Sequence, residues 1–436
     1  MKVQVLSRKL IKPCIPTPEF LRHYTISFID ELAPSINVLA VLYYSPGLII
    51  QKLEESLAEI LPQFYPLAGR YMKDDHSVDC SDQGAAFLEA QVDCQLLDII
   101  GAGAKPEELN DLLPCQSFAT EDATEPLLAI QVSKFKCDGI AISVSISHRI
   151  ADASSLGMFI SAWANACQGD NVEAISSRFN SPLFFPGKNF SAPDFGETGT
   201  RDLDVRIPVA KIVARRFVFD NKAILGLRAK MSEGKTGKQQ PSRVQVVSAL
   251  ITKALASVDA QKTYGHSRNL LVAQLVSVRE RTVPPVPKYC FGNLVAIAMT
   301  ESTAAEVKNM GFKDFVRLLD DNVSKTVADC AKILSNGEDG HKILVDTIVG
   351  FNKKSVNSDL NVVLITDWSK LGFYEVDFGW GKPILASVAD VPIKNLVTLL
   401  NSKESGGIEA WVHLDEKDMS YFEQDKDLKI FTTSLV

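Results

Sequence analysis

Two short segments of the sequence carry side chains whose types and spacing could do chemistry. The first is His148-Arg-Ile-Ala-Asp152, in which an imidazole and a carboxylate lie four residues apart. An imidazole with a pKa of about 6.5 suits a general base that removes a proton from a hydroxyl at neutral pH. The structural alternative is an interior histidine at 148 with Asp152 as a helix N-cap, and the residues alone leave both interpretations open.

The second segment is Asp377-Phe-Gly-Trp-Gly381, which is followed by Lys382-Pro. Two glycines that flank a tryptophan indicate a turn at which the backbone can approach a ligand or another strand closely. Read from the residues alone, this pattern favours a structural turn with a buried tryptophan over direct catalysis.

Several classes of protein lose their support from composition and missing motifs. The 436 residues carry a net charge of −7, which argues against nucleic acid as the main partner. No GxGxxG, HExxH or GxSxG string is present, and no histidine–cysteine pair has zinc spacing. The eight cysteines are scattered, as in a protein with reduced thiols. No apolar run has the length of a membrane span, and the N-terminus lacks the uninterrupted apolar stretch of a signal peptide, so we expect a cytoplasmic protein. Because the spacings of metal ligands are missing, we expect no metal ion.

The elements that must position the first segment can be read from apolar periodicity. Residues 47–63 show a helical stripe, and alternation on either side of Asp138-Gly139 predicts a β-hairpin. The second hairpin strand, residues 140–147, has small residues on one face, so we expect it to be central and to end at His148. A helix over residues 156–167 follows, closed by Gly169.

The rest of the chain predicts a second mixed α/β domain. Residues 181–209 are rich in Pro, Gly and Asp, which is typical of a connector, and residues 232–241 are predicted to be an exposed loop. Beyond them the pattern predicts a helix over 244–258 and one or two helices over 304–334. It predicts strands over 270–278, 362–365, 384–388, 396–400 and 408–414. The predicted organisation is a domain over 1–180 that carries His148, a linker over 181–209, and a domain over 210–436 that carries the Asp377–Gly381 turn.

Taken together, the two segments resemble the BAHD family of plant acyl-CoA-dependent acyltransferases. Further strings carry the likeness along nearly the whole chain: QFYPLAGR at 63–70, VRERTVPPVP at 278–287, FGN at 291–293 and GIEAW at 407–411. The overall texture is most similar to the branch of alkaloid and alcohol O-acetyltransferases.

This resemblance implies a fold and a set of roles. The fold would be α/β, with two chloramphenicol-acetyltransferase-like domains that contain mixed sheets and flanking helices, joined by a long crossover, with a solvent channel between them. His148 would be the base that activates an acceptor hydroxyl for direct attack on acyl-CoA in a ternary complex. Asp152 would pair with Arg279, and Trp380 and Asn293 would contact the oxyanion. Asp377, Gly379 and Gly381 would form a structural turn away from the reaction centre. Lys253 and Lys382 would contact the phosphates of coenzyme A.

Departures from the family pattern bear on the acyl donor and on the type of domain. Residues 289–293 read YCFGN, not the YFGNC of the malonyl-transferring branch, which favours acetyl-CoA and leaves malonyl-CoA as the second possible donor. Ala153 follows Asp152 where many relatives have glycine. A condensation-type domain that acts on carrier-bound thioesters and a non-catalytic ligand-binding member of the same fold stay open as competing interpretations. We expect a monomer with no bound cofactor and with acyl-CoA as co-substrate.

Overall fold

The computed structural model of the chain describes residues 1–47, 49–100, 109–115, 124–169, 178–190, 211–232, 240–263, 267–388, 391, 393–404 and 406–432. The strands within these residues are β1 (Val3–Ile11), β2 (His23–Thr25), β3 (Asn37–Tyr44), β4 (Arg70–Met72), β5 (Ser77–Asp79), β6 (Ala85–Val92), β7 (Leu128–Lys134), β8 (Ile140–Ser147), β9 (Ile212–Phe219), β10 (Asn269–Ser277), β11 (Val295–Ser302), β12 (Leu360–Asp367), β13 (Leu385–Val388), β14 (Leu396–Asn401) and β15 (Ile408–Asp415).

The α-helices in the same residues are α1 (Phe28–Glu31), α2 (Ile50–Ile60), α3 (Leu96–Ile100), α4 (Ala153–Gln168), α5 (Ser181–Phe184), α6 (Asn221–Ser232), α7 (Arg243–Lys262), α8 (Ala304–Asn309), α9 (Phe312–Cys330), α10 (Lys332–Ser335), α11 (Gly337–Ser355), α12 (Glu416–Phe422) and α13 (Lys426–Phe431). Short 3-10 helices cover Glu19–Leu21, Leu61–Ala68, Lys73–Asp75, Asn110–Leu112 and Phe373–Glu375. No helix in the described part of the chain is long and apolar enough to cross a bilayer.

The chain divides into two compact units, of which the first contains residues 1–200, 286–294 and 371–390. Its main sheet has six strands in the order β1-β6-β7-β8-β3-β13, and β2, β5 and β4 form a small second sheet. The β6–β7 pair is parallel and the other pairs in the main sheet are antiparallel. Every residue of β8 is buried, and β8 lies between β7 and β3, so the strand that leads to His148 is central as predicted.

The second unit contains residues 201–285, 295–370 and 391–436. Its six-stranded sheet has the order β11-β10-β12-β14-β15-β9, with parallel β10–β12 and β12–β14 pairs. One face of this sheet packs against α7, whose residues from Val246 to Asp259 are largely buried in the apolar core of the unit. The mixed sheets with flanking helices confirm the predicted fold class.

The predicted turn of the hairpin and the predicted end of α4 are present, whereas the stretch predicted as one or two helices over 304–334 consists of three helices, α8, α9 and α10. Asp138 has a φ of +61° in the tight turn between β7 and β8, and Gly169 ends α4 with a φ of +76°. The predicted connector lies largely outside the described residues, and so do residues 233–239 of the predicted loop. None of the eight cysteines, all of which lie in the described residues, is joined in a disulfide.

One part of the predicted domain split is wrong. Residues 371–390, which include the Asp377–Gly381 turn, belong to the first unit and not to the C-terminal domain. The reason is that β13 pairs with β3 and thereby completes the first sheet. Residues 286–294 also belong to the first unit, so the chain returns there twice after residue 201. Local periodicity assigns each strand to the same domain as the strands next to it in the sequence. It therefore does not predict a strand that joins the sheet of the other unit.

Candidate active site

His148 lies in a tight turn directly after the central strand β8. Its backbone N–H donates to the carbonyl of Ile36 at 2.9 Å, and the N–H of Ile150 donates to Ser147 at 3.2 Å. The side chain is half-buried. Within the described residues its Nδ1 is buried and has no hydrogen-bond partner. Burial lowers the pKa of this imidazole below its usual 6.5, so the neutral form, which can accept a proton, predominates at pH 7.

Asp152 begins α4 as its N-cap and is 4% exposed. Its Oδ1 accepts the N–H of Ser155 at 2.8 Å, and its Oδ2 accepts the N–H of Leu294 at 3.2 Å. The carboxylate therefore ties the helix start to the segment that precedes β11. Its negative charge acts against the effect of burial and raises the pKa of His148. The capping role that the residues alone allowed for Asp152 is confirmed.

Gly292 and Asn293 support the turn that carries His148 from a distant part of the sequence. The Nδ2 of Asn293 donates to the His148 carbonyl at 2.6 Å and to Oδ1 of Asp30 at 2.8 Å. The Oγ of Ser155 exchanges hydrogen bonds of 3.1 Å with the N–H and the carbonyl of Gly292. These contacts fix the segment against the turn on one side and against the first turn of α4 on the other.

The oxyanion role predicted for Asn293 disagrees with these contacts. Both hydrogens of Nδ2 are already donated, and the backbone N–H of Asn293 donates to Asp30 at 2.7 Å. A reversed amide would place its oxygen against two acceptors, the His148 carbonyl and the Asp30 carboxylate, so the orientation with Nδ2 towards both is the stable one. Asn293 therefore has no donor left for an oxyanion, and its contacts hold the His148 turn in place.

Asp30 is a site residue that the sequence analysis missed. It is fully buried, and its Oδ2 accepts the N–H and the Oγ of Ser27 at 3.0 and 2.6 Å, which forms a capping box at the start of α1. Burial raises the pKa of this carboxyl to about 6, against the opposing effect of its four hydrogen-bond donors. The Ser-x-x-Asp spacing could have revealed the cap, but nothing in the local sequence indicates the contact with Asn293.

The Asp377–Gly381 segment is a turn organised by its own aspartate. The Oδ1 of Asp377 accepts the N–H groups of Gly379 at 2.7 Å and Gly381 at 2.9 Å, and both glycines have positive φ angles near 100°. Phe378 is buried, with its ring edge-on to Trp163 at a centroid distance of 4.8 Å. The structural role predicted for the aspartate and the glycines fits this geometry, because an L side chain at either glycine position would be strained.

This turn lies far from His148, so the oxyanion role predicted for Trp380 is wrong. On β3, Asn37 is paired with the end of β8 and Tyr43 with the start of β13, which separates the two segments by about 20 Å of strand. Gln168, at the far end of α4 from Asp152, donates to the backbone of the turn at 2.6 Å. The sixteen residues of α4 span about 24 Å. The length of the helix and the length of the strand therefore both place the Asp377–Gly381 turn far from His148.

The charged side chains predicted to contact coenzyme A are engaged in ion pairs. The Nζ of Lys253 lies 2.6 Å from Asp427, and the Nζ of Lys382 lies 2.5 Å from Glu375. Arg279 is 7% exposed, and its predicted pair with Asp152 stays a prediction. No group of three or more His, Cys, Asp or Glu side chains in the described residues is arranged to hold a metal ion.

The chain is similar to known acyltransferases along nearly its whole length. The sequence model of the transferase family matches residues 1–429. A pelargonidin 3-O-(6-caffeoylglucoside) 5-O-(6-O-malonylglucoside) 4'''-malonyltransferase from Salvia splendens is 39% identical over 99% of this chain and 100% of its own. Stemmadenine O-acetyltransferase from Catharanthus roseus is 34% identical over 97% of both chains.

Structural comparison gives the same result. The crystal structure of vinorine synthase superimposes with a TM-score of 0.81 at 31% identity, over 100% of this chain and 99% of that one. The fold and the sequence likeness thus confirm the resemblance carried by the two motifs. The chain belongs to the BAHD family and is an acyl-CoA-dependent O-acyltransferase.

Proposed function

We propose that the protein transfers an acetyl group from acetyl-CoA to a hydroxyl of an alkaloid or another plant alcohol, with His148 as the general base. One observation carries the proposal. A half-buried imidazole, kept neutral by burial, lies in a turn that is fixed by hydrogen bonds from both α4 and Asn293. With Nδ1 buried, Nε2 is the nitrogen that would meet the acceptor.

The chemistry needs one proton acceptor and one proton donor. An alcohol with a pKa of about 16 is a poor nucleophile at neutral pH, so a base must remove its proton as the new C–O bond forms. In the proposed reaction, His148 takes that proton while the hydroxyl oxygen attacks the thioester carbonyl. The tetrahedral intermediate then expels the coenzyme A thiolate, and the imidazolium returns its proton to the sulfur. No acyl-enzyme forms, so the kinetics would follow a ternary-complex pattern.

Acetyl-CoA and malonyl-CoA are the two candidates for the acyl donor. The relative named stemmadenine O-acetyltransferase supports acetyl-CoA, as does the departure of residues 289–293 from the malonyl-branch string. A relative at 39% identity is named a malonyltransferase, which supports malonyl-CoA as the second candidate. We also propose a pair of Arg279 with Asp152, contacts of Lys253 and Lys382 with the coenzyme A phosphates, and a monomer that works in the cytoplasm.

A donor–acceptor matrix tests this function. The purified protein would be incubated with acetyl-CoA or malonyl-CoA and with three acceptor classes: alkaloid alcohols, benzyl alcohol and anthocyanin glucosides. Free thiol release would be followed with a thiol reagent, and the products by mass spectrometry. We expect acetylated alkaloid or alcohol product that is lost in His148→Ala. Malonylated glucoside alone would overturn the acetyl assignment, and wild-type turnover by His148→Ala would overturn the mechanism.

A further inference from the structure

A chain of hydrogen bonds connects the turn of His148 to a carboxylate near the start of the protein. Asn293 donates from Nδ2 to the His148 carbonyl at 2.6 Å and from both its backbone and side-chain nitrogens to Oδ1 of Asp30, at 2.7 and 2.8 Å. We infer that Asp30 is a positioning residue for His148 that acts through Asn293. This inference rests on the proposed role of His148 as the base.

The geometry explains why Asn293 needs Asp30. A free asparagine amide can rotate, and a half-turn would present Oδ1 to the His148 carbonyl, where two acceptors repel. A single oxygen of Asp30 accepts from the backbone and the amide of the same residue, which excludes that half-turn. The second oxygen of Asp30 accepts two hydrogen bonds from Ser27, which belong to the cap of α1 and not to the contact with Asn293. The carboxylate is fully buried, so water does not compete for these contacts.

The close approach of this segment depends on a glycine. Gly292 has a φ of +133°, and a Cβ built at this position would lie 2.8 Å from Oγ of Ser181 and 3.5 Å from Oδ2 of Asp30. The absence of a side chain lets the backbone at 292 lie against both groups. The arrangement thus brings the N–H of Asn293 directly onto the Asp30 carboxylate.

A purely structural role for Asp30, as the cap of α1, makes different predictions. Ser27→Ala is the matched control, because it removes a bond to Oδ2 of Asp30 and the helix cap but leaves the Oδ1 contacts with Asn293. Asp30→Asn is the conservative variant: it can keep an oxygen towards Asn293, but its amide nitrogen then faces the N–H of Ser27, so it weakens the cap while it keeps the Oδ1 contacts. If Asp30 acts only as a cap, activity will follow thermal stability across all of these variants.

The experiment measures kcat, KM and melting temperature for Asp30→Ala, Asp30→Asn, Asn293→Ala, the double Asp30→Ala/Asn293→Ala variant and Ser27→Ala. We expect kcat to fall by about 10-fold or more in each alanine variant at 30 and 293, with KM changed by less than about 3-fold, because a misplaced base slows the chemical step. The double variant should be no slower than the slower single variant, since both changes break one connection. Asp30→Asn should recover most of kcat, and Ser27→Ala should keep it within about 2-fold.

A second readout separates failure of this inference from failure of the proposed function. NMR titration of the His148 ring, assigned by comparison with His148→Ala, follows the imidazole without any acyl transfer. Loss of the bond from Asn293 to the His148 carbonyl moves the imidazole, so Asp30→Ala and Asn293→Ala should shift its pKa in the same direction, whereas Ser27→Ala should not. An unchanged titration together with additive kcat effects would overturn the inference, even if the wild type is fully active. If Asp30→Ala does not fold, Asp30→Asn and Asn293→Ala carry the test.

Discussion

Replacement of Asp152 by alanine removes two acceptors whose contributions can be worked from their contacts. Loss of the N-cap bond to Ser155 costs about 1 kcal/mol. Loss of the acceptor for the N–H of Leu294, in a buried environment, costs about 1–3 kcal/mol. These two contacts together contribute about 2–4 kcal/mol of folding free energy, and loss of the proposed pair with Arg279 would add to this cost. The same change frees one end of the His148 turn and removes a charge that supports its imidazolium, so kcat should fall by about 10²-fold or more.

Asp425→Ala is the matched control for this prediction. Asp425 is also a helix N-cap, for α13, and accepts the N–H groups of Asp427 and Leu428 within the second unit. It should cost about 1 kcal/mol of stability and leave kcat unchanged. Melting temperatures by calorimetry and initial rates with the acceptor found in the matrix would be measured for both variants. If Asp152→Ala is as stable as Asp425→Ala and retains wild-type kcat, the argument from these contacts is refuted.

Four further measurements test separate parts of the structure. His148→Ala should lower kcat by about 10²-fold or more while its melting temperature stays within about 2 °C of the wild type. Because burial lowers the pKa of His148, the acid limb of kcat/KM should lie below pH 6.5, as a rate profile between pH 5 and 8 would show, and a limb above 6.5 would contradict the assignment. Gly292→Ala should cost about 1–3 kcal/mol by denaturant titration, since its φ is +133° and Ser181 blocks the new methyl group. Phe378→Ala should cost about 3–5 kcal/mol through its lost packing on Trp163 but leave kcat nearly unchanged at temperatures where it is folded, and a selective loss of kcat would show that the turn acts at the reaction centre.

The fold could be predicted from the sequence wherever local periodicity decides the structure. The Asp138-Gly139 turn, the buried strand β8 and the helix closed by Gly169 all have short-range signals, and each is present as expected. The assignment of strands to sheets could not be predicted in the same way. The pairing of β13 with β3 joins residues more than 300 positions apart, and no local pattern in either strand indicates it.

The candidate site shows the same division between local and distant contacts. His148 and Asp152 could be identified because both lie at the junction of one strand and one helix. Asp30 and the true role of Asn293 could not, since their contact spans 263 positions. Trp380 is predicted to be an oxyanion donor because it lies in the conspicuous Asp377–Gly381 segment. The lengths of β3 and α4 show that this segment is far from the imidazole.

The contacts of Asp152 distinguish this site from a catalytic triad. In a triad the carboxylate accepts from Nδ1 of the histidine and so orients the ring. Here both oxygens of Asp152 accept backbone N–H groups, from Ser155 and Leu294, and Nδ1 of His148 has no partner among the described residues. Asp152 therefore acts on the imidazole through its charge and through the position of the turn. The orientation of His148 must then come from the backbone contacts of its turn, which makes the bond from Asn293 to the His148 carbonyl a main determinant of where the base lies.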